Sequence, residues 1–155
     1  MGPKSYGGRG SLPLILSLYT GRKFSLVSPS LVPRKTTVFV VDDDPSVLKA
    51  VDRLLRSAGL SVRTFDSPEA CLAAGLPGCD SCLVVDYRMP GMTGFDLVRE
   101  LRRRGADPPF IVISAHDDAE ARRQARELGA AAYFRKPVDG QALLDAIAWA
   151  SGEQV

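Results

Sequence analysis

The sequence predicts an α/β domain in which helices doubly wind a five-stranded parallel sheet of order 2-1-3-4-5. Three observations predict it. From Thr36 onward, short apolar runs alternate five times with helix-period segments, a pattern that implies a parallel sheet covered on both faces through right-handed crossovers. The first, third and fourth runs are near-continuously apolar, as strands buried on both faces should be, while the second is more polar and suits an edge. Four of the five runs, the first, third, fourth and fifth, also lead into polar or chain-turning residues: Asp42-Asp43, Asp86, Ser114 and Lys136-Pro137.

Taken in order, Thr37-Val-Phe-Val-Val41 is β-branched and aromatic, the composition of a strand. Asp44-Pro45 then gives a helix start, and Val47, Leu48, Val51, Leu54 and Leu55 fall on one face of that helix at period 3.6. Gly59 ends it. Leu60–Phe65 alternates as an edge strand, and Ser67-Pro68-Glu69 opens a short helix to about Ala74. Gly75, Pro77 and Gly78 form a loop into the central strand, 82–86. Met89-Pro90-Gly91 turns the chain, and Thr93-Gly94 precedes a helix with Leu97, Val98 and Leu101 inward. Its last turn carries Arg102, Arg103 and Arg104, favourable at a helix C-terminus and best read as a solvated face. Phe110–Ile113 is the fourth strand. Asp117-Asp118 opens a helix to Leu128, closed by Gly129, with a thin apolar face of Ala121, Ala125 and Leu128. Ala131–Phe134 is the last strand, and a helix from Gly140 to Ala150 buries Leu143, Leu144 and Ile147 while Trp149 lies off that stripe.

Charge separates the chain into two regions. Residues 1–35 hold six bases and no acid, whereas residues 36–155 hold 14 bases and all 18 acids. The basic character belongs to the tail, so no basic face marks the domain as a nucleic-acid binder. The tail, rich in Gly, Ser and Pro, reads as a disordered basic extension, with a partner-binding or targeting segment as alternatives. Its apolar stretch Leu12–Leu18 is interrupted by Pro13 and too short to cross a bilayer, so no membrane association is expected. Three cysteines make no disulfide framework. Cys79-Asp-Ser-Cys82 has redox or metal spacing, but ordinary thiols in a reducing compartment are the simpler reading.

The strand ends carry the chemistry. In this topology the ends of strands 1, 3, 4 and 5 share one rim, and strands 1 and 3 are neighbours at the switch point where ligands collect. That brings together Asp42, Asp43, Asp86, Ser114 and Lys136. Crowded carboxylates raise one another's pKa unless a cation joins them. Oxygen ligands in a shallow open site favour Mg²⁺. A hydroxyl and an ammonium opposite the acids complete a set suited to phosphoryl transfer, and a carboxylate can itself attack phosphorus.

Over roughly residues 36–150, four motifs in order, Val-Val-Asp-Asp-Asp-Pro, Val-Val-Asp-Tyr-Arg-Met-Pro-Gly-Met-Thr-Gly, Ile-Val-Ile-Ser-Ala-His and Tyr-Phe-Arg-Lys-Pro, resemble the response-regulator receiver domain of two-component signalling, FixJ-type subgroup. The flavodoxin-like order is the one known for receivers, so order and resemblance are not independent. The resemblance implies that Asp86 accepts a phosphoryl group. It implies that Asp43, Asp86 and the Arg88 carbonyl ligate Mg²⁺, with Asp42 on a metal-bound water or behind it. Ser114 and Lys136 would contact phosphoryl oxygens, and Lys136-Pro137 would be cis. Tyr133 would be the switch aromatic following Ser114, and Arg88 and His116 would tune phosphoryl lifetime. Asp44 would cap its helix. The implied partners are a sensor histidine kinase or phosphotransfer protein and a downstream effector, with room for a phosphorylation-dependent homodimer; the implied location is the cytoplasm. The expected boundaries are an extension over 1–35 and a receiver over 36–152, with no output domain expected after it in this chain. Two further readings compete. One is a receiver-like module that binds partners without phosphorylation. The other is an Mg²⁺-dependent phosphatase, which Arg88 opposes by standing where such enzymes need a second acid. A nucleotide-binding module is opposed by the absence of a Gly-rich loop after strand 1.

Overall fold

A computed structural model describes residues 36–76, 80–116 and 118–152. The predicted extension over 1–35 and Cys79 lie outside the described residues.

The chain alternates β1 (Thr37–Val41), α1 (Pro45–Ser57), β2 (Ser61–Phe65), α2 (Pro68–Ala74), β3 (Ser81–Asp86), α3 (Gly94–Arg103), β4 (Phe110–Ser114), α4 (Ala119–Leu128), β5 (Ala132–Arg135) and α5 (Gly140–Ala150). Among the described residues all pairings are parallel, and the sheet order is β2-β1-β3-β4-β5. The strands are short, and their apolar side chains alternate between two cores with the period of two that a pleat imposes. Phe39, Val41, Leu83, Val85, Phe110 and Val112 pack with α2, α3 and α4. Val38, Val40, Cys82, Val84, Ile111 and Ile113 pack with Val51 and Leu55 of α1 and Leu143 and Ile147 of α5. Continuous apolar runs in β1, β3 and β4 are therefore the signature of burial on both sides.

Helix starts follow their capping residues. Asp44 caps α1 by accepting from the Ser46 amide at 2.9 Å. Thr93 and Asp96 exchange side-chain–backbone bonds in a capping box at α3. Asp118 and Asp139 cap α4 and α5. The last strand starts at Ala132, one residue later than its apolar run, because Ile111 pairs with Ala132 and Val112 with Tyr133. Leu144 is only partly buried, so the α5 stripe narrows to Leu143 and Ile147. Arg102, Arg103 and Arg104 are exposed and paired with Asp107 and Glu100. Arg102 additionally donates to the Leu128 carbonyl at 2.7 Å, joining α3 to the end of α4. Among the described residues, no helix is long and apolar enough to cross a membrane.

Candidate functional site

β1 and β3 run side by side with Val41 opposite Val85, so the residues that follow, Asp42 and Asp86, emerge next to each other on the carboxyl rim. Asp42 is fully buried and Asp86 nearly so, while Asp43 is exposed. One oxygen from each of the three lies within 4.8 Å of the others. Asp42 Oδ1 accepts from the Asp44 amide at 2.9 Å, which fixes the turn into α1.

The cation comes from β5. The Lys136 amide donates to the Ser114 carbonyl at 2.8 Å, so the chain leaving β5 is tied to the end of β4. From there Lys136 Nζ reaches Asp42 Oδ2 at 2.8 Å and Asp86 Oδ1 at 3.5 Å. Asp42 Oδ2 accepts no aligned hydrogen bond; its contact with the ammonium is an ion pair. The next peptide bond, Lys136–Pro137, is cis.

The loop after Asp86 is held against the sheet. The Tyr87 amide donates to the Ile113 carbonyl and the Gly94 amide to the Tyr87 carbonyl. A Cβ at Gly94 would stand 2.4 Å from the Asp86 carbonyl oxygen and 2.9 Å from Val85 Cγ2. Only glycine permits α3 to start this close to the strand end. Gly91, at φ +84°, makes the turn between them.

Burial pushes the Asp86 carboxyl up, and the neighbouring Asp42 and Asp43 charges push the same way; Lys136 pulls down but less, leaving Asp86 at about 6. For Lys136, burial lowers the pKa, but the Asp42 and Asp86 carboxylates beside it outweigh that and raise it, so the ammonium stays charged through the neutral range. Three acids facing one ammonium leave a surplus of negative charge. Hard oxygen donors at an open rim, with one buried oxygen lacking an aligned donor, are a donor set that fits Mg²⁺.

Ser114 ends β4, buried, with Oγ accepting from the His116 amide at 3.1 Å. Tyr133 is half-buried on edge strand β5. Its hydroxyl donates to the His116 carbonyl at 3.3 Å, and the Arg122 guanidinium of α4 lies 4.6 Å from its ring centroid. His116 thus meets both predicted switch residues through its backbone. Arg88 is exposed, and its guanidinium pairs with Asp118 at 3.4 Å. Asp118 and Arg122 are the residues that sequence reasoning did not place near the site. The Asp117-Asp118 helix start was legible, but nothing in the chain signals a pairing across 30 residues. Neither buried thiol belongs to the carboxylate cluster; burial pushes Cys71 up to about 11 and Cys82 to about 12, which leaves almost no free thiolate at neutral pH.

The profile of the response regulator receiver domain matches residues 38–148. The chain belongs to the response-regulator receiver family. The receiver is 40% identical over 116 residues to the transcriptional regulatory protein FixJ of Azorhizobium caulinodans, covering 75% of this chain and 55% of FixJ. It is 41% identical over 113 residues to nodulation protein W of Bradyrhizobium diazoefficiens, covering 73% of this chain and 50% of that protein. The chain therefore spans about half the length of these curated relatives. Among solved structures, the receiver is similar to FixJ-N, with a TM-score of 0.72 and 34% identity over 79% of this chain and 98% of the other. A receiver protein from Burkholderia phymatum gives a TM-score of 0.66 and 37% identity over 78% and 98%. The fold is that of the CheY-like receivers, and receivers as a family bind Mg²⁺ and interact with histidine kinases and effectors.

Proposed function

We propose that this receiver takes a phosphoryl group from a partner's phosphohistidine onto Asp86 and thereby changes which partner it binds. The observation that carries the reading is the three-carboxylate rim with Lys136 inserted between Asp42 and Asp86.

An Asp86 oxygen attacks phosphorus as the P–N bond to the donor imidazole breaks, and the bonding pair leaves with the nitrogen. The product is an acyl phosphate; water later cleaves its P–O bond and restores the carboxylate. The raised pKa of Asp86 matters here, because a buried carboxylate that is poorly solvated is a better nucleophile when ionised. Asp43, Asp86 and the Arg88 carbonyl would hold Mg²⁺, with Asp42 behind them. When bound, that ion would neutralise charge on the transferring phosphoryl oxygens. Lys136 would turn from Asp86 towards the phosphoryl oxygens, and the Ser114 hydroxyl would donate to another. His116 and Arg88 would set access of water to the acyl phosphate.

The new charge, about −1.5 to −2, draws Ser114 towards it. That hydroxyl is bonded to the His116 amide, and the His116 carbonyl receives the Tyr133 hydroxyl, so the movement reaches β5 and shifts the population of the α4–β5–α5 face. Trp149, 67% exposed on α5, supplies an aromatic anchor for an effector or a second copy there. The domain is a self-modifying phosphoacceptor in the cytoplasm rather than an enzyme turning over a separate substrate, and no nucleic acid is its direct ligand.

Intact mass spectrometry after incubation with a small-molecule phosphodonor tests the reading. The expected result is one added phosphoryl group with Mg²⁺ and none with chelator. A folded wild-type chain that gains nothing at any donor concentration, and in the presence of Mg²⁺, contradicts it and favours a phosphorylation-independent interaction module.

A further inference from the structure

Arg88 follows Asp86 by two residues and leans over the Tyr87 ring, with Cζ 5.3 Å from the centroid. Its Nη2 pairs with Asp118 Oδ2 at 3.4 Å. The same Asp118 carboxylate caps α4: its Oδ1 accepts from the Glu120 amide at 2.9 Å and from the Ala121 amide at 3.4 Å. The cap fixes the carboxylate, and the second oxygen is left facing Arg88. One side chain therefore ties the loop that follows Asp86 to the start of the helix flanking β5. The pair is exposed, at 58% and 30%, so it is weak, as a contact that is to be exchanged must be.

We propose that Asp118 is a positioning residue that holds the Arg88 guanidinium while Asp86 is unmodified and yields it to the phosphoryl group once Asp86 is modified. The proposal rests on the phosphoacceptor reading above. A phosphoryl group offers about −1.5 to −2 charge and several acceptor oxygens, and a guanidinium binds such groups in a bidentate manner. Against it Asp118 offers one charge and one free oxygen. Transfer of Arg88 leaves the α4 cap in place but cuts the tether between α4 and the phosphoacceptor loop. Coupling of this kind is reciprocal: occupancy of the phosphoryl site weakens the Arg88–Asp118 pair, and weakening that pair favours occupancy of the site.

The probe is beryllofluoride with saturating Mg²⁺, titrated calorimetrically into the full chain. Asp118→Asn keeps an oxygen for the cap and removes the charge that holds Arg88. It is expected to bind the probe about two- to fivefold tighter than wild type, the span of an exposed ion pair. In an Arg88→Ala background the same substitution is expected to change nothing, whereas a role confined to capping α4 would give the same change in both backgrounds. Hydrogen exchange at the Glu120 and Ala121 amides checks that the cap survives. Unchanged affinity in Asp118→Asn, or an equal change with and without Arg88, overturns the proposal and leaves the phosphoacceptor reading standing. A wild-type chain that binds no beryllofluoride overturns that reading and the proposal with it.

Discussion

Lys136→Met is expected to destabilise the metal-free domain by about 2–5 kcal/mol near neutral pH, because removing one partner of a buried ion pair strands the other. Asp42 is fully buried, and its Oδ2 has the ammonium at 2.8 Å and no aligned hydrogen bond. Without Lys136, three carboxylates face one another with no cation. Urea denaturation with chelator present measures the loss. Adding Asp42→Asn to Lys136→Met is expected to recover most of it, since both charges are then gone and the two sites are in contact. Excess Mg²⁺ is expected to recover part in the single variant by supplying the missing positive charge. A Lys136→Met midpoint equal to the wild-type midpoint would mean that the pair contributes nothing to the fold.

Asp86→Asn is expected to act the opposite way, raising metal-free stability by about 1–3 kcal/mol near neutral pH. Folding moves this carboxyl from 3.8 to about 6, through burial first and the Asp42 and Asp43 charges after it. The folded state then holds more protons than the unfolded state between those two values, so stability falls as pH rises through that window. Above about 6 the penalty is fully present; below 3.8 it is absent. The advantage of Asp86→Asn should therefore be constant in the neutral range and shrink on acidification until it vanishes. Thermal melts from acid to neutral pH test this, with chelator present. An advantage that grows on acidification would reverse the sign and contradict the burial account. Stability gained at the expense of a functional carboxylate is the pattern expected where a site keeps a strained charge for its chemistry.

Most of the fold was legible because its signals are local. The apolar runs of β1, β3 and β4 need no partner to be recognised, and Asp44-Pro45, Ser67-Pro68 and Thr93-Gly94 announce helix starts within two residues. The edge strand β5 was displaced by one residue because Ala131 and Ala132 carry no strand signal of their own; pairing with Ile111 sets its start. The site was legible to the same degree as the topology, since a parallel sheet necessarily gathers Asp42, Asp86, Ser114 and Lys136 on one rim. Three features were not legible, for a shared reason. Lys136 lies closer to Asp42 than to Asp86, Arg88 pairs with Asp118, and Arg122 covers Tyr133. Each depends on how a long side chain settles among groups brought together only by tertiary packing, and sequence spacing holds no record of that choice.

A phosphoryl group held on the Asp86 carboxylate can be trapped chemically. Borohydride reduces an acyl phosphate on aspartate to homoserine, which peptide mass mapping then locates. After treatment with a phosphodonor and Mg²⁺, the account predicts homoserine at position 86 in the wild-type chain and at no position in Asp86→Asn. Homoserine at another aspartate, or a phosphoryl group that resists borohydride and maps to Ser114 or His116, would contradict it.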